Sequence, residues 1–225
     1  MCIRDSFIAG AGKREITPPI GYPMGGHSIA AGIARGYWTR LYARSFYFQD
    51  AEGHQLVLVS ADLFAIPAGL RARVLELLSQ LKPQDSLPEE SLVISATHTH
   101  LGPGNFATSS VYNSFASPLP GFDEDLFSYL AHQIANSITA AIKDANDHAS
   151  DIHSIALHEG LACGMLRNRA IGPFLRDPPN VQDAIVKQGS LCRGQDEALS
   201  NCKSDQACLR LLAVDPTMYL SLIHI

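Results

Sequence analysis

The longest regular pattern in this sequence is an apolar repeat within residues 123–145. Large apolar side chains return every fourth residue, at Leu126, Leu130, Ile134, Ile138 and Ile142. This spacing places them on one face of an α-helix, and the acidic residues 123–125 suit the positive end of the helix dipole. The sequence therefore predicts one long amphipathic helix, whose apolar face has to be covered by other elements of the fold.

Several shorter segments have the character of strands and of a second helix. Residues 41–49 and 55–60 flank a turn-forming stretch and predict a hairpin. Further strands are predicted at 91–96, at 152–161 and at the start of 211–219. Residues 68–81 carry leucines and a valine at helical spacing and end before Pro83. Mixed strands and helices indicate the α/β class, with mixed β-sheet layers and flanking helices.

The sharpest chemical feature is a histidine motif, residues 97–104 (THTHLGPG), that directly follows the apolar segment 91–96. Alternate residues of a strand share one face, so the imidazoles of His98 and His100 are predicted to point the same way. Two neutral imidazoles on one side of a rigid strand end form part of a zinc site. The alternative is a pair of hydrogen-bonded histidines at a strand edge.

Two other polar residues follow predicted strands. Asp62 comes just after the 55–60 strand, where an acid either orients a metal-binding histidine or caps a turn or helix. Arg169 follows the 152–161 strand, where a guanidinium can stabilise an oxyanion or bind a carboxylate. The alternative for Arg169 is a solvated basic loop.

The other histidines carry less information. His27 lies in a Gly-rich loop (residues 21–33) and is uninformative by itself. The rest show no ligand spacing and are predicted to be surface or structural residues: His54, His132, His148, His153 and His158.

Cysteines cluster late in the chain. Apart from Cys2, the sequence has Cys163, Cys192, Cys202 and Cys208, and the last three lie in a polar, Cys-rich insert at 189–210. This clustering indicates one or two disulfides and an oxidising compartment, with a pairing that sequence does not give. Free buried thiols are one alternative. A structural zinc knot is another, although no C-x-x-C pair or nearby His supports it.

Both ends of the sequence have the character of translated adapter DNA. Residues 1–6 are encoded by ATG TGT ATA AGA GAC AGN and residues 220–225 by CTG TCT CTT ATA CAC ATC. The two strings are reverse complements and match the end of a common transposase-based sequencing adapter. We therefore expect 1–6 and 220–225 to be artefacts, and 7–219 to be an incomplete catalytic domain of a longer protein. The alternative is a genuine N-terminus and a genuine apolar C-terminal strand.

Composition and missing motifs exclude several function classes. A net charge of −5 argues against a nucleic-acid partner, and no apolar run is long enough for a transmembrane segment. The sequence contains no G-x-S-x-G, P-loop or H-E-x-x-H motif. The absence of these motifs argues against the commonest classes of serine hydrolase, nucleotide-binding protein and zincin metalloprotease.

Five segments, in order, resemble the neutral/alkaline non-lysosomal ceramidases. Residues 9–19 (AGAGKREITPP) are similar to the family's A-G-x-x-x-x-D-I-T opening, and 41–44 to its first long strand. Residues 59–63 (VSADL) resemble V-S-x-D-L, and 168–169 (NR) resemble the start of N-R-S-P. The histidine motif resembles T-H-T-H-S-G-P-G and is the most specific of the five.

The resemblance implies a catalytic Zn²⁺ and assigns roles to three residues. His98 corresponds to a zinc ligand, and His100 to an active-site histidine that assists catalysis. Arg169 is implied to hold the substrate or its oxyanion. The family's remaining ligands, a His, a Glu and a Tyr, are expected beyond Tyr219, as is an immunoglobulin-like domain. The fragment alone is therefore expected to be inactive.

The implied reaction is cleavage of the N-acyl amide bond of ceramide to sphingosine and a fatty acid. The implied enzyme is secreted, periplasmic or extracellular, and contacts a membrane surface. A lipid substrate predicts an apolar pocket near His98, lined in part by the Gly-rich loop. Leu101 replaces the family's Ser, and Ala170-Ile171 replace Ser-Pro, so another amide or ester is an alternative substrate. A non-catalytic binding module with the same fold is a third reading.

Overall fold

A computed structural model describes residues 2–3, 7–81, 87–149, 154–192 and 205–224. These residues form two compact units, one within Arg4–His153 and the other within Ser154–His224 together with Met1–Ile3. Cys202, His153 and most of the predicted Cys-rich insert lie outside the described residues, as do most of residues 1–6.

A four-stranded mixed sheet forms the centre of the larger unit. The first strand of the chain, β1 (Cys2–Ile3), belongs to the smaller unit, and the larger unit contains β2 (Ile8–Glu15), β3 (Tyr42–Gln49), β4 (Gln55–Ala61) and β5 (Leu92–Ala96). Their order in the sheet is β2-β3-β4-β5. The predicted hairpin is confirmed as β3 and β4, which pair antiparallel, whereas β4 and β5 pair parallel.

In the part of this unit that the structure describes, three α-helices accompany the sheet: α1 (Ala68–Leu81), α2 (Ser110–Phe115) and α3 (Glu124–Asp147). The predicted long helix is confirmed as α3, and the carboxylate of Asp123 caps it by accepting a hydrogen bond from the Leu126 N–H at 2.8 Å. All five residues of its apolar repeat are buried. Burial of each such side chain contributes about 1.5–3 kcal/mol, so α3 is held mainly by this face. Four apolar residues of α1 join the same core: Leu70, Val74, Leu77 and Leu78.

Two glycines let α3 lie directly against β2. A Cβ on Gly10 would stand 2.2 Å from the Ala141 carbonyl oxygen, and one on Gly12 would stand 2.0 Å from the Ser137 carbonyl oxygen. The Ala11 N–H in turn donates to Asp144 at 2.9 Å. The backbone of the strand therefore touches the backbone of the helix, which fixes α3 on this face of the sheet.

Within the described residues, the smaller unit has a three-stranded antiparallel sheet and three short α-helices. The order of its strands is β1-β6-β7, with β6 at Ser154–Leu161 and β7 at Thr217–His224. The helices are α4 (Ile171–Phe174), α5 (Pro179–Gly189) and α6 (Gln206–Leu212). Their apolar faces form a small core, composed of Ile171, Phe174, Val186, Leu209, Leu212 and Ala213. A disulfide joins Cys163 to Cys192, and Cys208 is also disulfide-bonded.

The predicted α/β class is confirmed, with one difference in the last strand. The strand expected to begin at residue 211 begins at Thr217, because residues 206–212 form α6. The adapter origin of residues 1–6 and 220–225 stays a prediction, although β1 and β7 run through part of these ends. None of the helices in the described ranges combines the length and apolarity needed to cross a membrane.

Candidate functional site

The parallel pairing of β4 and β5 brings two functional segments to one edge of the sheet. Ala61 and Ala96 are partners at the ends of these strands, and the Thr97 N–H donates to the Ala61 carbonyl at 2.9 Å. Residues 62–64 and the histidine motif therefore leave the sheet side by side. Carboxyl ends of parallel strands are where sites of α/β folds collect.

His98 does not lie in the strand, which ends at Ala96. Its φ is +59°, a left-handed conformation that is uncommon for a residue with a side chain. Its Nδ1 lies 2.6 Å from the carbonyl oxygen of Phe64. Since a carbonyl can only accept, Nδ1 carries the proton and the neutral ring keeps its lone pair on Nε2.

The rings of His98 and His100 lie next to each other, but alternate strand positions, which predicted that the two imidazoles point the same way, are not the cause, because β5 ends before both residues. Their Nε2 atoms are 3.3 Å apart, and the ring centroids are 4.8 Å apart with the planes inclined by 79°. His98 is exposed and His100 is half-buried. The pair therefore stands at a surface that a ligand can reach, and is not sealed in the core.

A third histidine joins this pair. Nδ1 of His27 lies 3.3 Å from Nδ1 of His100, and the two ring centroids are 4.4 Å apart. His27 is exposed. Sequence reasoning missed it, because one histidine in a Gly-rich loop has no spacing relation to residues more than seventy positions later.

The Gly-rich loop is tied to the histidine motif by its backbone. The Gly25 N–H donates to the Gly102 carbonyl at 2.9 Å, and the Gly104 N–H donates to the Pro23 carbonyl at 2.7 Å. Gly26, with φ +96°, crosses the ring of His100 so closely that a Cβ there would stand 2.9 Å from the ring. Only glycine combines this backbone conformation with this approach.

A cavity of about 330 Å³ opens beside the motif. Its wall includes Thr99 and Leu101, on either side of His100, although the three imidazoles themselves do not line it. The remaining lining is largely apolar and comes from residues 17–41 and 102–103, among them Tyr22, Met24, Ile33, Tyr37 and Trp38. The predicted apolar pocket, lined in part by the Gly-rich loop, is thus observed next to the motif.

One wall residue of this cavity has a shifted pKa. Burial raises the pKa of Tyr22, and the neighbouring carboxylates of Asp123 and Asp125 raise it further. A hydrogen bond between the phenol and the Asp123 carboxylate raises the pKa of Tyr22 in the same direction.

Among its described contacts, the Asp62 carboxylate bonds to residues of the sheet and not to the histidines. Its carboxylate accepts a hydrogen bond from the Tyr42 N–H at 2.9 Å and pairs with Arg44 at 2.9 Å. These contacts fix the start of β3 against the end of β4. Of the two readings of Asp62, the structural one fits the observed bonds, while the group that does orient His98 is the Phe64 carbonyl two residues later.

Arg169 lies in the smaller unit, on a loop whose backbone is held. The guanidinium of Arg210 donates to the carbonyls of Asn168 and Arg169 at 3.0 and 2.9 Å. The Asn168 side chain bonds Ala170 N–H and the Ala213 carbonyl. The Arg169 side chain itself is exposed. Its assigned role in holding a substrate stays a prediction.

A second group of side chains that could hold a metal ion lies on the surface. It consists of the exposed residues Asp50, Glu52 and His54. Asp50 accepts hydrogen bonds from the backbone N–H groups of Glu52 and His54, and its other oxygen bonds the His54 ring at 2.9 Å. These are the contacts of the tight turn between β3 and β4. The cluster is explained by the turn and carries no functional assignment.

Comparison with known proteins relates this site to a family. Residues 7–199 match the family model described as neutral/alkaline non-lysosomal ceramidase, N-terminal. The neutral ceramidase of Drosophila melanogaster is 29% identical over 174 residues, which cover 77% of this chain and 23% of the fly protein. The neutral ceramidase of Pseudomonas aeruginosa is 34% identical over 134 residues, covering 59% of this chain and 19% of that protein.

The fold agrees with the sequence comparison. A crystal structure of the neutral ceramidase from Pseudomonas aeruginosa matches with a TM-score of 0.68 and 28% identity, covering 80% of this chain and 28% of that chain. The chain thus spans about a quarter of the length of the relatives it matches. On the strength of the family match, which extends over most of its length, the chain belongs to the neutral/alkaline non-lysosomal ceramidase family.

Proposed function

We propose that the complete protein is a zinc-dependent amidohydrolase that cleaves the N-acyl amide bond of ceramide to sphingosine and a fatty acid. The observation that carries this proposal is the hydrogen bond from His98 Nδ1 to the Phe64 carbonyl. It leaves the Nε2 lone pair of His98 directed at the accessible space beside His100. A histidine whose second nitrogen is fixed by a carbonyl is the usual form of a metal ligand.

The donor set fits the metal that the family resemblance implies. Neutral imidazole nitrogen is a preferred ligand of zinc, and His98 would hold it through Nε2. Bound zinc would lower the pKa of a coordinated water and polarise an amide carbonyl. Catalytic zinc sites use three protein ligands, so His98 needs partners from the rest of the protein. The present 225-residue chain is therefore expected to be inactive alone.

Two further residues have roles in this proposal. His100 Nε2 lies 3.3 Å from Nε2 of His98, and a protonated His100 ring beside a substrate bound there would give its proton to the leaving amine nitrogen. Arg169 carries a permanent positive charge on a loop anchored by Arg210. The family resemblance alone assigns its guanidinium to the negative charge that develops on the carbonyl oxygen.

The cavity beside the motif supports a lipid substrate. Its walls are rich in aromatic and aliphatic side chains, which favour the burial of a hydrocarbon chain. Leu101, where the family usually has Ser, lines this cavity and is 67% exposed. Its side chain would contact the substrate close to His100, so the acyl preference of this enzyme is expected to differ from that of relatives with Ser.

Export from the cytosol is part of the same proposal. The disulfide between Cys163 and Cys192 supports folding in an oxidising compartment, since disulfides persist there and are rare in the cytosol. Fractionation of cells that express the complete gene would test this. Recovery of the protein only in the cytosolic fraction would contradict it.

The activity is tested on the complete enzyme, after its gene has been recovered. We expect hydrolysis of an N-acylsphingosine that a chelator abolishes and added Zn²⁺ restores. His98→Ala should lose both activity and zinc, whereas His132→Ala, on the exposed face of α3, should retain both. An ester and a simple amide with the same acyl chain are the competing substrates. Faster turnover of the ester or of the simple amide would show that this compound, and not ceramide, represents the substrate. No turnover of any of the three compounds would favour a binding module.

A further inference from the structure

The loop that carries Arg169 exchanges hydrogen bonds with the end of α6 in both directions. The Arg210 guanidinium donates to the carbonyls of Asn168 and Arg169 at 3.0 and 2.9 Å. In return, the Asn168 N–H donates to the Arg210 carbonyl at 2.8 Å, and the Asn168 side chain donates to the Ala213 carbonyl at 3.0 Å. The loop thereby supplies donors to the C-terminal carbonyls of α6, which have no partners within the helix.

The side chain of Arg169 takes no part in these contacts. It is exposed, and within the described ranges it forms no hydrogen bond or ion pair. The backbone of Arg169 is thus held while its guanidinium stays available to a ligand. A guanidinium binds an anionic oxygen through donors in a fixed planar geometry. How well it does so depends on where its backbone is placed.

Arg210 extends from a helix that is itself fixed within the smaller unit. Leu209 and Leu212, one residue before and two residues after Arg210, are buried in the small core. A Cβ on Gly189 would stand 1.9 Å from the Leu212 carbonyl oxygen, so the end of α5 touches the backbone of α6 directly. The half-buried Arg210 side chain therefore has a support with little room to move.

We propose that Arg210 is a positioning residue for Arg169, which holds the loop so that the Arg169 guanidinium meets the carbonyl oxygen of the substrate. This inference rests on the proposed function for the role of Arg169, but not for the hydrogen bonds themselves. Residues 7–199 match the family model, so α6 lies beyond the matched part of the chain. The arginine that the family resemblance singles out is thus held by a segment to which that resemblance assigns no role.

An arginine suits this task for two reasons. Its guanidinium carries several donors, so one side chain bonds both carbonyls at once. Its positive charge also prevents an ion pair with the Arg169 side chain, because like charges repel. A carboxylate in the place of Arg210 would instead attract the Arg169 guanidinium and compete with the substrate for it. The loop is therefore held without loss of the charge that it presents.

The first test is independent of turnover and uses the present chain. Hydrogen exchange of the Asn168 and Ala170 amides, measured by NMR, reports how often the loop opens, because both N–H groups are bonded in the closed loop. Arg210→Met keeps an apolar stem but removes the donors, and should speed both exchanges about 10-fold. Arg210→Lys retains a charged donor and should restore most of the protection.

Arg167→Ala is the matched control on the same loop. Arg167 is exposed like Arg169, and the Arg210 guanidinium does not bond its carbonyl. This variant should leave the exchange of Asn168 unchanged. The amide of the buried residue Val186 in α5 should exchange at its wild-type rate in every variant. Equal exchange of Asn168 in wild type and Arg210→Met would overturn the proposal, as would equal acceleration at Val186.

The second test uses the complete enzyme. Arg210→Met is expected to lower kcat about 10-fold with little change in KM or zinc content, since full loss of an oxyanion donor costs about 10²–10³-fold in kcat. Arg210→Lys should recover most of kcat. When Arg169→Ala is already present, Arg210→Met should cause no further loss, because its effect passes through Arg169.

The outcomes separate this inference from the proposed activity. Equal kcat in wild type and Arg210→Met would refute the positioning role, and so would the same loss of kcat with and without the Arg169 side chain. If the wild-type enzyme cleaves no amide at all, the proposed function fails and the catalytic part of this inference fails with it. The exchange experiment still decides whether Arg210 holds the loop.

Discussion

Replacement of Gly12 by alanine tests how β2 and α3 meet. An added Cβ would lie 2.0 Å from the Ser137 carbonyl oxygen and 2.6 Å from the Ala141 backbone nitrogen. Both atoms belong to the backbone of α3, so no flexible side chain can move aside. An ordinary contact is at least 3.4 Å, and the helix or the strand would have to retreat by more than an ångström.

The expected cost follows from two opposing effects. Overpacking of this kind destabilises a protein by about 1–3 kcal/mol, and a clash with rigid backbone belongs at the upper end. Alanine also reduces the entropy of the unfolded chain, which returns about 0.4–1 kcal/mol. We therefore expect a net loss of about 2 kcal/mol in the free energy of unfolding. With a urea m-value of about 2 kcal/mol/M, the midpoint should fall by about 1 M.

Urea unfolding followed by far-UV circular dichroism measures this shift. Gly36→Ala is the control in the same unit, since a Cβ there would meet nothing within 4 Å and Gly36 has no positive φ. Its midpoint should stay unchanged or rise slightly. If Gly12→Ala unfolds at the same urea concentration as Gly36→Ala, the close backbone contact between β2 and α3 is wrong.

Three further predictions address buried and charged contacts. The Ser137 hydroxyl donates to a backbone carbonyl at 2.7 Å, so the buried Ser45 hydroxyl must donate to Ser137. Ser137→Ala removes that acceptor and should lower the free energy of unfolding, measured in urea, by about 1–3 kcal/mol. The double variant with Ser45→Ala should recover part of this loss. Asp62→Asn should cost about 1 kcal/mol, because the ion pair is partly exposed, yet leave the zinc affinity of the complete enzyme unchanged. The hydrogen bond from the His54 side chain lowers the pKa of Asp50 below 3.8. The stabilisation that this hydrogen bond gives to the folded protein is therefore present above pH 3.8 and is lost as the pH falls through the lowered pKa of Asp50. His54→Ala should raise the pKa of Asp50 in an NMR titration.

The helices that pack on the sheet of the larger unit could be predicted because their periodicity reflects burial. The every-fourth-residue repeat from Leu126 to Ile142 faces the core, and α1 has the bounds that its spacing predicts. The β3–β4 hairpin was equally visible from its turn residues. In each case the sequence pattern that supports the prediction is the same pattern that burial in the core imposes.

Strand β2 escaped prediction for a related reason. Its residues IAGAGKRE have little strand propensity, because Gly10 and Gly12 are required by the close approach of α3 and not by pairing with β3. The two glycines are explained by their contact with α3, which lies more than a hundred residues later in the chain. No local pattern contains that information. The start of the final strand was misplaced in a similar way, since the apolar residues of α6 face a small core formed by other helices.

The candidate site shows where a correct expectation rested on an incorrect cause. Strand periodicity predicted that His98 and His100 point the same way, and their rings do lie next to each other. The strand, however, ends before them, and the left-handed backbone of His98 turns the rings together. Such a conformation costs about 1–3 kcal/mol and persists only where surrounding contacts impose it. Here the Phe64 carbonyl holds the His98 ring, and the contact with His27 holds His100 from the other side. The Phe64 carbonyl thus holds the ring of a residue with an unfavourable backbone conformation and also fixes which nitrogen of that ring keeps the lone pair, so the geometry of His98 and its protonation have one common origin.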